Sequence, residues 1–409
     1  MKLNFSYWIK FSLFNLLLVA SLGLLMRYKI AFEFPFLNQK NIQHSHSHFA
    51  FAGWVSQTLI VLMVHFLSKQ NTTINLEKYK KVFIANLVCA YIMLFSFIFQ
   101  GYGLISILFS TLSIFVSFWF AILYFKDLKL VSNNSLAKNW FKAALFFNVI
   151  SSLGTFALAY MMATKSLHQD FYLSSIYYYL HFQYNGWFWF GIMGLFVNQL
   201  ISNLVLEKAN KIIFTWFFIS CIPAYLLSVL WLKLPIWIYG LAILSAILQV
   251  FAWMKFIKII IPNFIKNYSL APFFKWIYIS IVVCISIKFL LQLGSTVPEI
   301  GKLAFGFRPI VIAYLHLVLL AIISGFLLVY LFTNQLVIQN NRIKKALGLF
   351  IIGIFLNELV LAIQGIASFS YTLIPYANEM LFGIAILLFF GAFRMFYLNQ
   401  KKVKKNIVL

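Results

Sequence analysis

Apolar stretches of about twenty residues recur along the whole chain, and the short segments between them carry most of its lysines. A run of about twenty apolar residues matches the hydrocarbon thickness of a bilayer, where each backbone polar group must be paired within its own helix. The pattern predicts an all-α polytopic membrane protein of twelve transmembrane helices in one membrane domain, residues 1–409. The spans read at 7–26, 46–67, 82–103, 104–125, 142–164, 172–203, 212–231, 235–256, 275–294, 307–332, 346–367 and 378–398. The third and fourth join at QGYGL with almost no loop. The sixth is too long for a plain crossing, and its opening turns, YLSSIYYY, are placed at the interface. With 63% hydrophobic and 10% charged residues, the chain has too little polar surface to cover a soluble domain.

The net charge of +24 does not point to nucleic acid, because the basic residues are distributed as membrane topology demands. Segments after even-numbered spans hold Lys69, Lys78, Lys80 and Lys81; Lys126, Lys129 and Lys138; Lys208 and Lys211; Lys255, Lys258 and Lys266; Arg342, Lys344 and Lys345; and Lys401, Lys402, Lys404 and Lys405. The odd-numbered side holds only Arg27, Lys29, Lys40, Lys165, Lys233, Lys302 and Arg308. The positive-inside rule then places both termini in the cytoplasm. The opening stretch lacks a small-x-small cleavage site followed by a soluble domain, so it reads as the first span and not as a signal peptide. Cys89, Cys221 and Cys284 are mid-span and without paired spacing, which suits packing better than a disulfide or a zinc site.

Two heptapeptides, HFAFAGW from His48 and HFQYNGW from His181, share the form His-Phe-x-aromatic-x-Gly-Trp. His316 opens a third segment, HLVLLAI, without the Gly-Trp. The three histidines fall in spans 2, 6 and 10, so they recur every fourth span. This register predicts a threefold repeat of four-helix units, roughly 1–126, 127–260 and 261–409. His181 and His316 are expected about nine residues below the outer face, roughly 13 Å at a helical rise of 1.5 Å. His48 is expected nearer the mouth of its span. An ionisable residue inside a membrane is a functional hypothesis by default, and neutral imidazole is the commonest metal ligand. The plainer reading of each is a hydrogen-bonded packing residue.

In HSHSH, His44 and His48 share a face if the segment is helical, with His46 turned away; if it is extended, all three share a side. His65 and His168 read as interfacial residues. Glu358, in FLNELVLAIQGI, is the one carboxylate placed deep in a span, either as a proton relay or as a protonated partner of a neighbouring helix. Tyr184, Asn185 and Tyr314 extend the set of intramembrane polar groups. Arg308 and Lys302 precede span 10 as interfacial cations.

Twelve spans, internal termini and histidines on spans 2, 6 and 10 resemble the large catalytic subunit of the haem-copper oxidase superfamily, which includes bacterial nitric oxide reductases. The resemblance implies three arcs of four helices in a bacterial cytoplasmic (inner) membrane. It implies a low-spin haem b held by His48 (or His46) and His316, with Arg308 beside its propionates. It implies a non-haem metal, copper or iron, at His181, with Tyr314 replacing the high-spin haem ligand and Asn185 replacing a reductase glutamate. SVLWLKLPIW, Ser228 to Trp237, lacks the family's histidine pair. A second family, the haem-and-copper membrane proteins of the bacterial nitric oxide response, is similar in span number and in an early His-x-His.

The function so implied is electron transfer or the handling of nitric oxide or oxygen, with an oxidoreductase of the terminal oxidase or nitric oxide reductase type as its enzymatic form. The implied partners are membrane lipid, a cytochrome or quinol donor and a small gas. His44 joins His48, His181 and His316 as a metal-ligand candidate. The alternatives are a multi-spanning transporter using intramembrane His and Glu358, with Lys288, and a metal-free structural or assembly relative.

Overall fold

The structure, a computed structural model, describes residues 3–71, 73–166 and 168–400, with the side chains of 303 and 304 left aside. Lys401, Lys402, Lys404 and Lys405 therefore lie outside the described residues. Helices account for nearly all of the described chain, and no strand occurs among the described residues. The all-α polytopic expectation holds.

We number the long helical runs α1 Phe5–Ala31, α2 Gln39–Gln70, α3 Lys78–Gln100, α4 Leu104–Leu128 and α5 Lys138–Thr164. The run α6 covers residues 169–197, and α7 joins Leu204–Cys221 to Pro223–Val229. Then follow α8 Ile236–Asn267, α9 Pro272–Gly294, α10 Arg308–Thr333, α11 Asn341–Phe369 and α12 Ala377–Gln400. Ten of these runs are long and apolar enough to cross a bilayer, and the bent α7 makes eleven. The remaining run, α6, is helical throughout, but His181, Gln183, Tyr184 and Asn185 dilute its apolar character.

Local chemistry sets several boundaries. Asn4, Asn38, Asn203 and Asn340 each accept a backbone N–H from the first turn of the helix that follows, occupying donors that a helix start leaves open. Gly101, at φ +60°, makes the reversal between α3 and α4 that QGYGL predicts. Pro223 follows the end of the first part of α7, and the axis bends there by 46°.

The chain forms two compact units. One comprises the chain up to Tyr124 together with Ser324 onward; the other is Phe125–Ile323. In the first, α12 packs along both α1 and α11. Small residues permit the α11–α12 approach: a Cβ on Gly391 would lie 2.9 Å from Cβ of Phe350, and one on Gly353 would lie 2.9 Å from Leu388. In the second unit, α6 is the innermost element, buried at every residue from His181 to Val197. Gly154 of α5 lies against its backbone, where a Cβ would be 2.5 Å from the Ser175 carbonyl oxygen. Large side chains such as Phe115, Trp119, Ile122, Leu244 and Trp276 remain outward-facing, an apolar surface that requires lipid contact.

Candidate functional site

All three repeat-register histidines precede a π-helical turn. His48 is followed, after Phe49, by Ala50–Ser56; His181 by Phe182–Phe188; and His316 by Leu317–Ser324. Such insertions are uncommon and often mark functional sites. A fourth, Phe256–Ile260, precedes Pro262, whose missing N–H already disturbs the helical ladder. The wide turns also change how backbone carbonyls are satisfied. Asn15 of α1 donates to the Gly53 carbonyl and accepts from the Tyr91 hydroxyl at 2.6 Å. Asn86 of α3 donates to the Ala52 carbonyl at 3.1 Å and to Gln57 Oε1 at 2.8 Å. Two mid-span asparagines thus brace the π turn of α2, the role that intramembrane amides commonly fill.

The shared heptapeptide has a packing logic. Gly53 leaves space for the Phe49 ring, which a Cβ would meet at 2.6 Å. Gly186 leaves space for Phe147, whose ring stacks on that of Phe182 at 5.8 Å. Trp54 and Trp187 are both fully buried, and Trp54 donates to the Ser324 hydroxyl at 2.8 Å.

The three histidines stand at similar positions along their helices. His48 lies nine residues after its helix begins at Gln39, His181 twelve after Gln169 and His316 eight after Arg308. His48 therefore lies well inside its helix and not at its start. The polar residues of NIQHSHSH hid a helix that Asn38 starts one and a half turns or more before the apolar run. HSHSH is helical, so His44 and His48 share a face. The His48 ring stacks on Phe97 at 4.3 Å and its Nε2 lies 3.1 Å from the Tyr102 hydroxyl. His44 meets Tyr102 edge-on at 4.6 Å. His46 faces the other way: a Cβ on Gly23 of α1 would approach its Cε1 to 3.4 Å.

The second unit holds His181 and His316. Nε2 of His181 donates to the Cys221 carbonyl at 2.8 Å, and its Nδ1 accepts from Asn185 Nδ2 at 3.2 Å. Both nitrogens are committed to protein partners, so the arrangement offers no lone pair to the copper or iron implied for that position. The donor set as arranged does not fit a non-haem metal. Among the described residues no three His, Cys, Asp or Glu side chains converge as a metal site. His316 holds the opposite tautomer. Its Nδ1 donates to the Ile312 carbonyl at 2.9 Å, which puts the lone pair on Nε2, the tautomer a metal-ligating histidine uses. Tyr184 and Tyr314 lie edge to face at 6.4 Å.

Glu358 is half-buried in the middle of α11 and accepts from Asn357 Nδ2 at 3.2 Å. Arg308 is exposed at the start of α10. His65 packs edge-on against Phe5 at 4.9 Å, and His168 is the residue before α6. Sequence reasoning did not single out Asn15, Asn86, Trp189 or Gln249; an amide at mid-span was the available signal for three of them. No protein-family profile matches the chain, and no curated protein matches it.

Proposed function

We propose that the chain is a bacterial membrane haem protein that acts in electron transfer or in the handling of nitric oxide or oxygen. The observation that carries this reading is the register of His48, His181 and His316, each within one residue of a π turn and four helical runs apart. The tautomer of His316 supports it as an axial ligand of a b-type haem. The resemblance pairs His316 with a histidine of α2. Of these, His46 is taken as the ligand, because Nε2 of His48 already meets Tyr102. Haem would supply a one-electron couple and a position for a diatomic gas; the chain would supply the imidazoles, that of His316 with its tautomer set by the Ile312 carbonyl. His181 is a structural member of this set, not a ligand. A cytochrome or quinol is the electron donor on this reading, and both termini face the cytoplasm.

The test is optical. Purified protein should give Soret and α bands in a reduced-minus-oxidised spectrum, and His316→Ala should abolish or shift them. Folded protein without either band, after haem supplementation, overturns the proposal. A transporter is the second reading, favoured by the buried Lys288; substrate uptake altered by Lys288→Met in a protein without chromophore would establish it instead.

A further inference from the structure

Within the second unit, Asn185, Trp189, Phe190, Phe217, Cys221, Gln249, Lys288 and Phe289 enclose a cavity of about 10 Å³. Its polar lining is unusual for the interior of a helical bundle. Lys288 is 3% exposed, with its ammonium over the Phe289 ring at 4.2 Å and the Trp189 ring at 5.2 Å. No carboxylate lies within ion-pair distance of it among the described residues. Three further buried atoms, Asn185 Oδ1, Trp189 Nε1 and Gln249 Oε1, find no hydrogen-bond partner in the protein. Buried polar groups are rarely left unmet, so three around one void call for a common partner.

The orientation of Asn185 follows from its neighbours. The Cys221 carbonyl can only accept, so His181 Nε2 carries the proton and Nδ1 carries the lone pair. Asn185 must then direct its NH₂ to His181, which leaves Oδ1 as the acceptor. The residues around the cavity therefore carry two donors, Lys288 Nζ and Trp189 Nε1, and two acceptors, Asn185 Oδ1 and Gln249 Oε1.

We infer that this cavity binds one internal water, which accepts from Lys288 and Trp189 and donates to Asn185 and Gln249. The volume is on the scale of a single water, and two donors with two acceptors match its four hydrogen bonds. A halide would face two amide oxygens, and a metal cation would face the Lys288 ammonium, so the lining selects against both. The water completes a chain from the Cys221 carbonyl of α7 through His181 and Asn185 of α6 to Lys288 of α9. His181 is thereby tied to a buried lysine, and the chain is independent of whether haem is bound.

The experiment is a structure of the full-length protein in nanodiscs at a resolution that shows ordered water, with a parallel bromide-soaked crystal. A density peak within about 2.7–3.2 Å of the four groups is expected, without anomalous signal. An empty cavity in the wild type, or a bromide peak, overturns the assignment. In Lys288→Met and Gln249→Leu the peak should weaken or vanish. If neither variant folds, infrared spectra of the wild type in H₂¹⁸O decide: an isotope-shifted band of a buried O–H supports the site, and its absence overturns it.

Discussion

The indole N–H of Trp54 and the hydroxyl of Ser324 meet at 2.8 Å although 270 residues separate them in sequence. Trp54 closes the first heptapeptide; Ser324 ends the π turn that follows His316. Trp54→Phe should lower stability by about 0.5–1.5 kcal/mol, the net worth of a buried hydrogen bond. Ser324→Ala should cost a similar amount, and the double variant less than the sum. A double-mutant cycle on thermal unfolding in nanodiscs checks this, and strict additivity would count against the contact.

Glycine substitutions should separate packing from propensity. At Gly186 a Cβ would fall 2.5 Å from Cβ of Phe147, an atom beside the backbone that cannot swing away. Gly186→Ala should cost at least about 1–3 kcal/mol through overpacking. Gly240 has nothing within 4 Å of a Cβ, so Gly240→Ala should be neutral or slightly stabilising. Comparable melting temperatures for the two variants would contradict the packing.

The bracing of the α2 π turn predicts a loss at Asn86. Asn86→Leu leaves the buried Gln57 Oε1 unmet and removes one of the two donors to the Ala52 carbonyl, which keeps the Gln57 N–H. A loss of about 1–3 kcal/mol is expected, with faster amide exchange confined to α2 and α3. Uniform exchange across the chain would instead indicate global loosening.

The histidines of α2 should divide by spectrum. His46→Ala and Gly23→Leu should perturb the haem bands, the latter by crowding the ring from α1. His44→Ala should leave them in place. His48→Ala should do so too, while destabilising the Phe97–Tyr102 cluster. Bands lost only in His48→Ala would reassign the ligand.

His181→Leu tests the structural role. Metal content and haem bands should be unchanged, while stability falls by about 1–3 kcal/mol because the Cys221 carbonyl and the Asn185 amide both lose their partner. Loss of a bound copper or iron in this variant would restore the metal reading.

Much of the architecture was readable from local chemistry. Apolar length is a property of consecutive residues, so the helical runs, the α3–α4 reversal at Gly101 and the every-fourth-span recurrence of His48, His181 and His316 follow from the chain itself. Hydropathy misjudged the start of α2, because Asn38 and the polar NIQHSHSH form a helix that an apolar window does not see. It also placed α6 by length alone, although that run's polar residues belong to the most enclosed part of its unit.

Partnership was not readable. Which nitrogen of His181 bears a proton is set by a carbonyl forty residues away, and Trp54 finds its acceptor 270 residues on. Apolar length and residue spacing are written along one strand of sequence. A hydrogen bond between helices depends on rotation and depth in two elements at once. For that reason the chain alone specified where imidazoles recur, and only the packed helices decided which tautomers His181 and His316 hold.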